Sequence, residues 1–343
     1  MSNIVNSTLS DSLNSAGIIR VPQSVRFWYF ICWDILSLSC TLFNLYFLLF
    51  NRTFRRALHN HIFIVLLLIC LIDETCTVPW FIRNDATLTP WQAPYEFYLF
   101  WAFFEYFLYS LQIGLFSWGT IERHILIFYD RWLNTNKKRF FFHYFPILFL
   151  IIYSLIYHII VYFILPCDGT FDAFLNGGLY APCAFTRTSL GTWDLIAHQL
   201  IPTLTILISS LILILRVQWQ KARTHRIIDW KKQRKMVIQL VSISIIYLLF
   251  NIPWVGIILA YQFGLPASIA VYGMVYAKFL WYNITFFFPF VTCLSLPELR
   301  EKIKQKLLFC QQEQRRVHVI QSTIIRRKVP QTIEQVNVSP IQT

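Results

Sequence analysis

Seven stretches of this chain, at residues 27–50, 61–82, 97–121, 140–165, 195–215, 236–263 and 267–296, stay apolar for 21 residues or more and hold few charges. A hydrocarbon core about 30 Å thick takes about 20 residues of helix to cross, so each stretch is long enough to span a bilayer. They are too long for the alternating strands of a membrane barrel, which need only about 10 residues each. The expected fold is an all-α membrane protein, a seven-transmembrane helix bundle over residues 27–296. Hydrophobic residues make up 56% of the chain and charged ones 14%, against roughly 25% charge in a soluble domain, which excludes a soluble core. Met1 to Gln23 is polar and lacks a charged stretch followed by an apolar one, so the first span is expected to act as the insertion signal.

The basic residues orient the bundle. Three follow span one (Arg52, Arg55, Arg56), five lie between spans three and four (Arg123, Arg131, Lys137, Lys138, Arg139), eight between spans five and six, and nine after span seven. Arg20, Arg26, Arg83 and Arg187 fall on the other side, with Lys278 inside span seven. Cytosolic loops carry the excess of lysine and arginine, so the expected topology has an extracellular segment at 1–26 and a cytoplasmic carboxyl terminus. The net charge of +13 then reads as topology and attraction to an anionic leaflet. The lipid bilayer is the expected partner, and no nucleic acid is.

Eight cysteines are spread along the chain without the close pairs of a zinc site, and neither a metal nor another cofactor is expected. Cys167 and Cys183 share the long outer loop between spans four and five, where a disulfide is permitted; Cys76 is the rival partner. Among the Asn-x-Ser/Thr sequons, Asn51 and Asn337 lie on the cytosolic side and Asn283 inside span seven, which leaves Asn6 for glycosylation. The tail at 311–343 is polar and expected to be disordered.

Ionisable side chains within a bilayer are costly and mark function unless they reach water near a span end. Here they are Asp34, Asp73, Glu74, Glu105, His158, His198 and Lys278; escape to water is plausible for Asp34 and less so for the others. Glu105 in span three and Lys278 in span seven carry opposite charges, and can pair if the two helices are neighbours. Pro79, Pro202, Pro253 and Pro289 each remove a backbone donor and tend to bend a helix. At the cytosolic end of span three stands Glu122-Arg123-His124. There Arg123, with five donors in a fixed fork, is either paired with its neighbour Glu122 or turned inward.

Over about residues 25–310 the chain resembles the rhodopsin-like (class A) G-protein-coupled receptors. The family's acid-arginine-aromatic step appears as Glu122-Arg123-His124, and its helix prolines as Pro202, Pro253 in Phe250-Asn251-Ile252-Pro253-Trp254, and Pro289. Trp91 stands at the family's loop tryptophan. Leu299-Arg300 match the opening of a short membrane-surface helix, expected at 297–310, after which Cys310 looks like its palmitoylation site. The resemblance implies a ligand pocket of Glu105, Lys278, Tyr282, His198, Gln199 and Trp254. It also implies a switch of Glu122, Arg123, His124, Pro253 and Pro289, and a heterotrimeric G protein as partner. Tyr98 occupies the place of the helix-three cysteine, which favours Cys167 with Cys183. Asn251 replaces the tryptophan two residues before Pro253, Phe288 and Thr292 replace the Asn and Tyr around Pro289, and Cys70 stands near the family's sodium-site aspartate. Leu150 stands near the helix-four tryptophan, and Gln233 replaces a glutamate that in some members locks the helix-three arginine, so basal activity is expected.

The function expected from this resemblance is that of a plasma-membrane receptor passing the signal of an unknown extracellular ligand to a heterotrimeric G protein. The alternative is a multi-span transporter or ligand-gated channel with Asp73, Glu74, Glu105 and Lys278 along one path. Against it, the chain shows no internal repeat, and the inner halves of spans four to seven hold no Asp, Glu, Lys or Arg. An enzyme is not expected, since His59, His61, His143 and His158 share no ligand spacing.

Overall fold

The computed structural model describes residues 22–86, 94–128, 135–165, 188–223 and 227–295. Seven helices in these segments are long and apolar enough to cross a membrane: α1 (Gln23–Phe50), α2 (Asn60–Ala86), α3 (Glu96–Leu126), α4 (Asn136–Ile164), α5 (Ser189–Trp219), α6 (Leu240–Gln262) and α7 (Gly273–Leu294). The protein is a seven-helix bundle of the multi-pass membrane type. Asn6, Trp91, Cys167, Cys183, Leu299, Arg300, Cys310, the helix expected at 297–310 and the tail at 311–343 lie outside the described residues.

The helices close into a ring in chain order, with α7 packing back on α1, while α3 runs through the middle against α2, α4 and α5. Lipid inverts the usual amphipathic rule, because apolar side chains are at home facing the tails and polar ones need protein partners. In α1 the inward stripe is Phe30, Asp34, Ser37, Thr41, Asn44 and Leu48, at helical spacing, whereas Ile35, Leu36, Leu42 and Leu49 face out. Asp34 therefore does not reach water from a span end. Its stripe turns inward and the carboxylate is buried.

Small residues set two close approaches. A methyl group on Gly119 of α3 would stand 3.2 Å from Ile62 of α2, and one on Gly273 of α7 only 2.5 Å from Ile257 of α6. The turn between α6 and α7 needs Gly264 at a φ of 99°. Beside it, Leu265 N–H donates to Ala260 O at 3.0 Å and closes the helix end.

Three spans contain widened turns, one in α2, two in α4 and one in α5, in which an N–H reaches back five residues instead of four: Val78 to Asp73, Phe145 to Phe140, Leu165 to Ile160, and Ile201 to Ile196. In a regular helix adjacent side chains diverge by about 100°, and an extra residue in the turn changes which of them face inward. These turns carry Asp73 and Glu74, His143, Tyr162, and His198 and Gln199, all of them buried.

Candidate functional site

The first polar cluster joins α3 to α7. Glu105 Oε1 accepts a hydrogen bond from Tyr282 OH and lies 3.7 Å from Lys278 Nζ. The ammonium also sits 5.0 Å from the centre of the Phe81 ring of α2, a cation–π contact that offsets part of its desolvation. Glu105 Oε2 is buried with no hydrogen-bond partner among the described residues. Glu105, Tyr106, Tyr109, Trp254, Lys278 and Trp281 line a cavity of about 20 Å³, which is room for about one water molecule.

Below Glu105 a deeper polar layer connects α1, α2 and α7. Asp73 accepts from Thr285 Oγ1 at 2.8 Å and from Thr77 Oγ1, and Glu74 accepts from Thr41 Oγ1 at 3.1 Å and from Ser37 Oγ. Both carboxylates face inward because the widened turn lies at their position. Nearby, Asn44 Nδ2 donates to the carbonyl of Pro289 at 2.7 Å, so the bend proline of α7 is tied to α1.

His198 and Gln199 do not line the Glu105 cavity. The structure gathers them with Asp194 between α4 and α5: His198 Nδ1 is 3.1 Å from Asp194 Oδ1, Gln199 Nε2 donates to Oδ2 at 3.3 Å, and Tyr157 OH donates to Oδ1 at 3.3 Å. Tyr157 and His198 pack their rings 4.3 Å apart. His158 bonds Ser110 of α3 at 3.3 Å and the Ser154 carbonyl at 2.7 Å. Asp194 was not legible as a site residue, because it lies one position before the apolar run that begins at 195. Asn251 is another such residue. It accepts from Tyr109 OH at 3.0 Å and donates to Thr203 Oγ1 at 2.8 Å, which joins α3, α5 and α6 two residues before Pro253.

At the other end of α3, Glu122 finds a partner on another helix. His143 Nδ1 of α4 bonds its carboxylate, His61 Nδ1 of α2 lies 2.8 Å from His143 Nε2, and His61 Nε2 lies 2.9 Å from the Arg55 carbonyl. Arg123 turns inward, buried, with its guanidinium 4.9 Å from the centre of the Phe63 ring. His124 takes the opposite side and bonds the Ser209 carbonyl of α5 at 2.7 Å. A cavity of about 10 Å³ beside Arg123 is walled by Ile62, Phe63, Phe116, Gly119 and Leu240.

Between the two ends lies an apolar layer. Leu66, Leu67, Phe116, Tyr247 and Phe288 have almost no exposed surface, and Phe116 stacks on Tyr247 with ring centres 4.1 Å apart. Glu105 and Arg123 are 18 residues apart on one helix, or roughly 27 Å at 1.5 Å per residue.

Among the expected pocket residues, Glu105, Lys278, Tyr282 and Trp254 come together, and His198 with Gln199 form a separate group. Glu122, Arg123 and His124 fan out to α4, α2 and α5 respectively. Cys76, the rival disulfide partner, is a free thiol, as are Cys32, Cys40, Cys70 and Cys293. The side chain of Gln233 lies outside the described residues. No group of three or more His, Cys, Asp or Glu among the described residues is placed to hold a metal ion. No family model and no curated protein matches the chain.

Proposed function

We propose that this chain is a plasma-membrane receptor similar to the rhodopsin-like G-protein-coupled receptors, with an extracellular amino terminus and a cytoplasmic carboxyl terminus. A ligand enters at the Glu105 half, and a heterotrimeric G protein engages the Arg123 end. The observation that carries this reading is that α3 holds both clusters, the first tied to α7 and the second to α2, α4 and α5, on opposite sides of a packed apolar layer. The cavity at Glu105 takes about one water molecule, so an organic ligand has to displace Trp254 or Trp281. Trp254 follows Pro253, where α6 lacks a backbone donor and can bend. A ligand that binds the opened form better than the closed one shifts the population by that difference in affinity.

A panel of chimeric G proteins, recruited by the native chain and by Arg123→Ala and Glu105→Gln, tests the proposal. Arg123→Ala is expected to abolish recruitment, and Glu105→Gln to remove the ligand response while leaving basal recruitment in place. Second-messenger levels that are equal with and without the expressed chain, together with no response to any ligand, would reject it.

The deep carboxylates favour one second reading, a transporter or channel. Asp34, Asp73 and Glu74 extend the polar region from Glu105 toward mid-membrane, as a permeation path would. The apolar layer of Phe116, Tyr247 and Phe288 interrupts that path. Cation or proton flux into vesicles containing the purified chain would decide for the second reading.

A further inference from the structure

A broad groove lies on the lipid-facing side of the bundle. Trp118 of α3 and Lys137, Lys138, Phe141, Phe145 and Pro146 of α4 wall a groove of about 490 Å³ at the Arg123 end. Lys137 and Lys138 are exposed at the start of α4, and the wall below them is almost wholly apolar. Trp118 of α3 brings its ring to that wall.

We propose that this groove binds one anionic phospholipid of the surrounding leaflet, such as phosphatidylserine. The basic mouth and the apolar wall follow the order of the parts of such a lipid. The two ammonium groups at the mouth meet the phosphate and headgroup carboxylate. The aromatic wall takes an acyl chain. That wall continues inward as a ladder of rings at every fourth position of α4, Phe141 to Phe145 to Phe149, with centres 6.0 and 6.1 Å apart. From Lys138 to Phe149 the helix rises roughly 16 Å, close to the depth of one leaflet, about half of a 30 Å core.

Other occupants fit less well. A sterol offers one hydroxyl to two ammonium groups. A second copy of this chain, docked on the same face about a two-fold axis, would set Lys137 and Lys138 against their own counterparts. A zwitterionic lipid is neutral overall, whereas phosphatidylserine brings one net negative charge to the two ammonium groups. The proposal holds for a receptor and a transporter alike, so its failure leaves the proposed function standing.

Bromine on an acyl chain quenches tryptophan on contact, and the part of the emission due to Trp118 is the difference between the native chain and Trp118→Phe. The full chain is reconstituted in phosphatidylcholine vesicles containing a minor fraction of phosphatidylserine, with the bromine on one lipid or the other. The Trp118 emission is expected to be quenched far more per molecule by brominated phosphatidylserine than by brominated phosphatidylcholine. Lys137→Gln with Lys138→Gln should remove that preference, a fall of about thirtyfold at roughly fivefold per basic residue near a membrane surface. Both lysines are exposed, so the pair of substitutions should leave the thermal unfolding of the bundle unchanged. Equal quenching by the two lipids, a preference that survives the double substitution, or stronger quenching by a brominated sterol would each overturn the proposal.

Discussion

The two ends of α3 hold buried carboxylates by different means. Glu105 meets a flexible ammonium at 3.7 Å and a phenol, both from α7, beside a cavity that holds about one water. Glu122 meets an imidazole braced by a second imidazole, which is itself fixed on a backbone carbonyl, so the ring atoms at that end have little freedom to move. A long, loosely held ion pair can be rearranged at small cost by a group that offers better partners. A chain of hydrogen bonds through rigid rings holds until one member is lost. Under the proposed function, the difference suits the first end to receiving a ligand and the second to keeping a resting arrangement around Arg123.

The most severe way to break this comparison is Lys278→Met. It leaves Glu105 buried without its cation and is expected to cost about 3–5 kcal/mol, read from denaturant unfolding in detergent micelles. Adding Glu105→Gln should recover most of the loss; a double variant no more stable than the single one would mean that the pair is not what holds α3 to α7 there. Next comes the layer that separates the ends. Phe116→Ala removes the ring stacked on Tyr247 and is expected to cost about 3 kcal/mol, visible as a lower thermal unfolding midpoint.

At the second end, His143→Phe strips Glu122 of its imidazole partner, with an expected loss of about 2 kcal/mol. His143→Gln, which can still donate to the carboxylate, should lose less, and equal losses would show that the hydrogen bond is not the cause. The smallest expected effect belongs to Tyr282→Phe, about 1 kcal/mol, because hydrogen bonds between membrane helices contribute little on average. Its unfolding should barely change, while, under the proposed function, the dose of ligand needed for G-protein recruitment should rise. Together these variants sharpen the contrast between an end that yields and an end that holds.

Much of this architecture is readable from residues alone, for a reason particular to membranes. A charge inside an apolar run is conspicuous whatever lies beside it, so Glu105, Lys278, Asp73 and Glu74 stand out without knowledge of their partners. The runs mark the hydrocarbon interior and not the helix ends, which is why α2 continues to Ala86 and α5 starts at Ser189, bringing Asp194 into the bundle. His61 and His143 are 82 residues apart and share no spacing that would link them. Asn251 is visible in sequence only as a departure from a resemblance, whereas in the fold it joins three helices.

The amino-acid sequence determined the number of crossings, their lengths and which side chains the lipid would reject, because each span must satisfy the bilayer independently of the others. Which rejected groups meet which was decided only by the tertiary structure. The widened turns aim Asp73 with Glu74, and His198 with Gln199, inward together, and the close approach at Gly119 brings α2 against α3. A polar group in lipid has to find a partner, but hydrophobic patterning carries no information about whose. That choice follows from the rotation and register of packed helices.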